Sequence, residues 1–291
     1  MDIKAFAKVN ICLDVTKERD DGYHEVRMIM QSIGLYDIHH LLKFEKRDKG
    51  IEISCEDLSI PCDKRNIVYK VLDNIKKKYN VPYGMEISIE KNIPSAAGLG
   101  GGSSDGAAAI IAANSIWGLN LSYDDMISIG KIVGADVPFF IKGGTALAEG
   151  IGDILTFISP FKGAYILIAK PPINISTKDV YDNFRLTDVV KRPDIYKMID
   201  NIEKGDIEHI GNNMINVLET VTIKNYPIIG EIKNIMMQAG ALGSLMSGSG
   251  PSVFGIFETK NKAKMCRNRL SDYLKDVFIV EPVGKGQEIN K

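Results

Sequence analysis

KNIPSAAGLGGGSSDGAAA, residues 91–109, decides how the rest of this chain is read. Just upstream, Met85, Ile87 and Ile89 alternate with Glu86, Ser88 and Glu90, which predicts a strand running into the glycines. Downstream, residues 103–117 are rich in alanine and stop before Gly118, which predicts a helix. Gly98, Gly100, Gly101 and Gly102 therefore join a strand to a helix start. Glycine has no Cβ to hold a ligand away from the backbone. A helix N-terminus adds N–H donors without intrahelical acceptors and a partial positive charge. Together they make a cradle for an anion such as a polyphosphate. The hydroxyls of Ser103 and Ser104 can donate to phosphate oxygens or hold a metal. A turn that merely packs a helix on a sheet is the plainer alternative. Two familiar loops do not fit. A P-loop needs a lysine after its glycines, and none stands here. The dinucleotide fingerprint needs glycine where Ser103 stands, and an acidic strand end where residues 121–125 read as a helix start.

Working outward, the first fifteen residues alternate. Ile3, Ala5, Ala7, Val9, Ile11, Leu13 and Val15 are expected on one face of a half-buried strand, opposite Lys4, Phe6, Lys8, Asn10, Cys12 and Asp14. Lys8 and Asn10 then point the same way, about 7 Å apart. Strands are expected at 26–35 and 38–44, with a hairpin through Arg47, Asp48, Lys49 and Gly50 into a strand at 51–55. Helices are expected at 67–79 and from Ser122, with Asp125 placed for a capping box, to Gly134. Short strands near 145–148 and 154–158 complete the first half.

The pattern restarts at Ala164. A strand at 165–169 leads to helices near 177–184, 194–203, 207–219 and 227–238. Strands at 242–246 and 253–257 flank Ser247, Gly248, Ser249 and Gly250, and a helix at 260–274 precedes a strand at 277–280. This is a β-α-β-β-α-β order with extra helices in the first crossover. The expected fold class is α+β with two domains. Residues 1–160 form a mixed sheet with helices, and residues 161–291 form a split βαβ, ferredoxin-like domain.

The composition is that of an ordinary globular chain: 45% hydrophobic and 25% charged over 291 residues. Lys and Arg number 36 against 37 Asp and Glu, a net charge of −1, which argues against nucleic acid or an anionic membrane as the main partner. No apolar run approaches the roughly 20 residues of a membrane span. The N-terminus does not read as a signal peptide. Cys12, Cys55, Cys62 and Cys266 have no metal-site spacing and suit a reducing compartment, so a cytoplasmic location is expected.

The loop resembles the nucleotide-binding motif of the GHMP kinase superfamily, a proline, three residues, then Gly-Leu-Gly-Gly and small residues. AFAKVNICLDV at 5–15 and LMSGSGPSVFGIF at 245–257 resemble the superfamily's other two motifs. The resemblance implies the two-domain fold of these kinases. It also implies that ATP lies over Pro94, Ser95, Ala96, Ala97, Gly98, Leu99, Gly100, Gly101, Gly102, Ser103 and Ser104, with Asn66 near the adenine. Mg²⁺ would bridge the β- and γ-phosphates, its protein ligands left open. Lys91 and Asn92 would lie near the nucleotide. Asp136 is implied as the base that takes a proton from the acceptor hydroxyl, and Lys8 as the cation beside it.

DGYHE at 21–25 and GADVPFF at 134–140 draw the resemblance toward one branch, kinases of a small molecule carrying a cytidine diphosphate group, in isoprenoid precursor biosynthesis. In that branch His24 would read the cytosine edge, Tyr23 would wall the site and Tyr181 would stack on the ring. Asn10, Gly248 and Ser249 would support the substrate. From the residues alone, each has a plainer account: a turn-capping Asp136, a solvated Lys8, a helix-packing Tyr181, and a simple hairpin turn at 247–251. His39, His40 and His209 receive no role. The alternatives are a GHMP kinase of mevalonate, homoserine or a sugar, and a nucleotide-binding regulator without catalysis.

Overall fold

The computed structural model describes residues 1–47 and 50–290, with side chains 43–47 left aside. β1 (Asp2–Glu18) and β2 (His24–Arg47) pair antiparallel in a long ribbon, so the two strands expected at 26–35 and 38–44 are one. Register shifts fall between Phe6 and Ala7, between Asn10 and Cys12, and between Val15 and Lys17. A slip of one residue exchanges the two faces of a strand. The slip of one residue at Ile11 accordingly sends Leu13 and Val15 into a different core cluster from Ala7, Val9 and Ile11, while Ile3 and Ala5, beyond a two-residue shift on the β2 side, pack in the cluster of Leu13 and Val15. Strict alternation had placed all seven on one face.

The expected hairpin at 47–50 is corrected. β3 (Ile51–Cys55) runs parallel to β4 (Tyr83–Glu90), and β4 lies between β3 and β2. Asp48 and Lys49 of that expected turn lie outside the described residues. The β3–β4 connection carries α1 (Ile67–Lys78), as a parallel pair requires a crossover. β5 (Thr145–Glu149) adds to β2, and β6 (Ile154–Phe157) adds to β5. Three further helices belong to this half: α2 (Gly101–Ile116), α3 (Tyr123–Val133) and α4 (Val137–Lys142). Ser122 and Asp125 form the capping box of α3. α4 was not expected; a proline in its first turn suits a helix start.

The second sheet has the order β10-β7-β9-β8, every pair antiparallel. Its strands are β7 (Tyr165–Lys170), β8 (Gly243–Met246), β9 (Val253–Phe257) and β10 (Asp276–Val280). α10 (Lys260–Ser271) joins β9 to β10, giving the split βαβ arrangement. The long crossover from β7 to β8 holds α5 (Thr177–Asn183), α6 (Ile195–Lys204), α7 (Ile207–Asn213), α8 (Glu219–Asn225) and α9 (Ile228–Gln238). The single helix expected at 207–219 is interrupted. The Leu13 N–H donates to the Ile215 carbonyl at 2.9 Å, and the Val217 N–H donates back to Leu13 at 3.0 Å. Backbone committed to β1 cannot continue a helix.

β11 (Gln287–Asn290), also not expected, returns to pair with β1 in the first sheet. The two sheets share a core. Ile11, Ile29 and Ile33 meet Ile166, Ile168, Phe254 and Ile256 in one cluster. That shared core sets the walls of the cleft between the halves.

Candidate active site

The glycine-rich segment lies between two cavities and contributes Gly98 and Gly100 to both. α2 begins at Gly101, two residues before the expected start, with Gly100 as its N-cap. Its first turn contains no acidic residue and no side chain caps it, so the partial positive charge of the helix end is left uncompensated. By helix geometry the amides of Gly101, Gly102 and Ser103 have no partner within the helix. The N–H of Ser104 donates to the Gly100 carbonyl.

Two of the glycines answer to the protein itself. A Cβ on Gly98 would stand 2.2 Å from the Ser247 carbonyl oxygen, and one on Gly100 would stand 2.5 Å from the Phe140 ring. Both have positive φ, +73° and +72°. A Cβ on Gly102 would meet nothing within 4 Å, so Gly102 faces open space. Close packing therefore explains Gly98 and Gly100, and leaves Gly102, which lines the second cavity, without a packing reason.

The second cavity, about 430 Å³, is lined by Asn66, by every residue from Pro94 to Ser103, and by Ile60, Pro61, Arg65, Lys91 and Asp105. The buried Ser95 hydroxyl has no hydrogen-bond partner among the described residues, as a ligand-facing group would. Asn66 serves the fold here. Its Oδ1 accepts from the Val68 N–H as the N-cap of α1, and its Nδ2 donates to the Pro61 carbonyl. Ser104 is corrected: fully buried, it donates its hydroxyl to the Phe6 carbonyl at 2.7 Å and does not face the cavity. Leu99 is buried among core residues and offers the cavity backbone rather than side chain.

The first cavity, about 680 Å³, brings together Lys8, Asn10, Tyr23, His24, Asp136, Tyr181, Gly248 and Ser249. Lys8 and Asn10 do share a face: the Lys8 ammonium donates to Asn10 Oδ1 at 2.6 Å. It lies 3.9 Å from Asp136 Oδ2. Lys8 is 4% exposed, and burial pushes its ammonium below the usual lysine value while Asp136 pulls it up. Asp136 occupies the N-cap position of α4, yet its side chain makes no capping bond. Its carboxylate is 31% exposed, open to the cavity and to Lys8. The turn-capping account of Asp136 therefore fails.

The His24 and Tyr181 rings lie 5.1 Å apart, and His24 also meets Phe184 edge-on at 6.4 Å. Burial, and then Asp136, raise the Tyr181 phenol, which stays neutral. Tyr23 is well exposed at the rim. A Cβ on Gly248 would lie 3.6 Å from the Lys8 ammonium and 3.5 Å from Asn10 Oδ1, so the 247–250 turn of the second sheet touches the Lys8 pair of the first.

Several contributors carried no sequence signal. Asn216, in the break after α7, donates to the carbonyls of Met246 and Gly248 at 2.9 and 2.7 Å and fastens that turn. The Thr177 and Ser249 hydroxyls bond to each other at 2.8 Å. Gln287 on β11 donates to the Ser104 carbonyl. Each acts across more than 25 residues of chain, beyond the reach of local pattern.

Comparison with known proteins shows the family and the fold. Residues 66–144 match the model of the GHMP kinases N terminal domain, and residues 198–276 match that of the GHMP kinases C terminal. A 4-diphosphocytidyl-2-C-methyl-D-erythritol kinase of Clostridium botulinum is 47% identical over 97% of this chain and 100% of the relative. The kinase of that name from Alkaliphilus oremlandii is 46% identical over 99% of this chain and 98% of its own. A crystal structure of 4-(cytidine 5'-diphospho)-2C-methyl-D-erythritol kinase superposes with a TM-score of 0.82 at 27% identity, covering 98% of this chain and 100% of that one. With full-length matches at this identity and both halves of the fold in place, the chain belongs to the 4-diphosphocytidyl-2-C-methyl-D-erythritol kinase family of the GHMP kinases.

Proposed function

We propose that the protein transfers the γ-phosphoryl group of ATP to the 2-hydroxyl of 4-diphosphocytidyl-2-C-methyl-D-erythritol, giving the 2-phosphate and ADP, a step in the formation of isoprenoid precursors. The observation that carries this reading is the Lys8–Asp136 pair, 3.9 Å apart, beside glycines shared by two cavities. One cavity takes the nucleotide, the other takes the acceptor, and the reacting groups meet at Gly98 and Gly100.

The second cavity would hold ATP with its phosphates toward the amides of Gly101, Gly102 and Ser103. Phosphoryl transfer asks a protein mainly to position the partners and stabilise charge. Asp136 accepts the proton of the attacking hydroxyl, which makes the oxygen a better nucleophile. Lys8, held by Asn10, keeps a positive charge beside the carboxylate and the transferring group. His24 and Tyr181 offer the cytosine a ring face and a polar edge in one corner of the acceptor cavity.

Mg²⁺ enters this scheme as the nucleotide's counter-ion. Among the described residues no three His, Cys, Asp or Glu side chains gather around a cation position. The Ser103 hydroxyl lines the nucleotide cavity, and such a hard oxygen donor would suit Mg²⁺ alongside phosphate oxygens. When bound, the ion neutralises phosphate charge.

A coupled ADP-release assay tests the reading. The diphosphocytidyl acceptor should support turnover, and methylerythritol lacking the cytidine diphosphate should support little. Equal turnover with mevalonate, homoserine or a sugar would move the chain to another acceptor class. ATP binding without transfer to any acceptor would make it a nucleotide-binding regulator.

A further inference from the structure

A cluster of ionisable side chains lies beneath the nucleotide cavity and takes no part in the scheme above. Asp37 and His39 stand two residues apart on β2, both without solvent exposure. Lys91 follows β4, and Asp105 belongs to α2. The Lys91 ammonium contacts Asp37 Oδ2 and lies 2.9 Å from Asp105 Oδ2. Asp105 Oδ1 meets His39 Nε2 at 2.8 Å. Asp37 Oδ1 accepts the backbone N–H groups of Asn92 at 2.6 Å and Ile93 at 2.8 Å.

The cluster joins three pieces of chain that frame the glycine-rich segment: the strand beneath it, the residues leading in and the helix leading out. Lys91 and Asp105 also line the cavity. The Lys91 ammonium lies 3.3 Å from where a Cβ on Gly101 would stand, directly under the first turn of α2. Buried ion pairs are a costly way to hold a fold together, since apolar packing often does as well or better. Burial, then Asp105, push the Asp37 carboxyl up to about 6, against the pull of Lys91. A placement this costly, under an anion cradle, asks for a role at the cradle.

We propose that Asp37 and Asp105 are positioning residues for the nucleotide. Through Lys91 and the amides of Asn92 and Ile93 they set the path into the glycine-rich segment. They also hold the Lys91 ammonium under the helix end, which fixes the position of the first turn of α2. The proposal rests on reading the second cavity as the nucleotide site.

The experiment is calorimetric ATP binding per folded molecule, with separate KM values for ATP and acceptor, on Asp37→Asn, Asp37→Ala and Asp105→Asn. Asp37→Asn keeps an oxygen for the two amides and loses the negative charge that holds Lys91; Asp37→Ala loses both. Removing a charge-assisted bond of this kind should weaken ATP binding and raise the ATP KM about tenfold in Asp37→Asn, and further in Asp37→Ala. The acceptor KM should stay within about twofold. A cluster that serves stability alone would lower the folded fraction and apparent kcat, leaving ATP affinity per folded molecule unchanged; that result would overturn the proposal. So would a parallel rise in both KM values. If Asp37→Ala does not fold, Asp37→Asn and Asp105→Asn decide the matter. If the unaltered protein binds no ATP, the reading of the cavity itself fails, and the variants are not at issue.

Discussion

Lys8 and Asp136 come from different elements of the first half, one from β1 and one from the turn before α4. An aspartate at a helix N-cap ordinarily spends its carboxylate on backbone amides; Asp136 leaves that role unused. Asp136→Asn should therefore cost little stability and lower kcat by about 10² to 10⁴, the usual reach of general-base catalysis, with ATP affinity unchanged in calorimetry. Near-normal turnover would remove Asp136 from the chemistry. Tyr181→Ala should raise the acceptor KM by about tenfold to a hundredfold, the worth of stacking one base on an aromatic ring. An unchanged acceptor KM would count against stacking. At this scale much was legible. Lys8 and Asn10 could be paired from spacing because the register shifts between β1 and β2 fall before Ala7 and after Asn10, leaving the alternation between them intact. Ser104 could not, because the direction of its hydroxyl depends on the phase of α2, which starts at Gly101 rather than Ser103.

The glycine-rich segment shows how one run of small residues serves two demands at once. Gly98 meets the Ser247 carbonyl at positive φ, whereas Gly102 lies inside the helix with open space before it. Gly98→Ala should combine a backbone clash with left-handed strain and lower stability by about 2 kcal/mol or more in denaturant unfolding. Gly102→Ala should leave stability equal or slightly raised, since alanine favours a helix, yet weaken ATP binding by crowding the amides. If both variants lost stability alike, the division of roles between the glycines would be wrong. The sequence showed that a strand, a loop and a helix meet here, because those depend on local periodicity and glycine content. It could not show which glycine answered to which demand, because the second sheet's turn comes from about 150 residues away.

Across the whole molecule, the first cavity exists only because the two halves are joined. Lys8, Asn10, His24 and Asp136 come from the first, and Tyr181, Gly248 and Ser249 from the second. The joint is fastened by the Leu13–Asn216 backbone bridge, the Ser247 hydroxyl on the Gly98 carbonyl, and the shared core around Ile11, Ile166 and Phe254. The β-α-β-β-α-β order made the second sheet legible in advance. The break after α7 and the return of β11 were not, since each is imposed by a partner on β1 roughly 200 residues or more away. On the reading proposed above, phosphate and hydroxyl meet at this joint. A crystal structure with a non-hydrolysable ATP analogue and the diphosphocytidyl acceptor is the decisive measurement. The terminal phosphorus should lie over the amides of Gly101, Gly102 and Ser103, with the 2-hydroxyl about 3 Å from the Asp136 carboxylate. A terminal phosphate seated elsewhere, or a hydroxyl turned away from Asp136, would contradict the account.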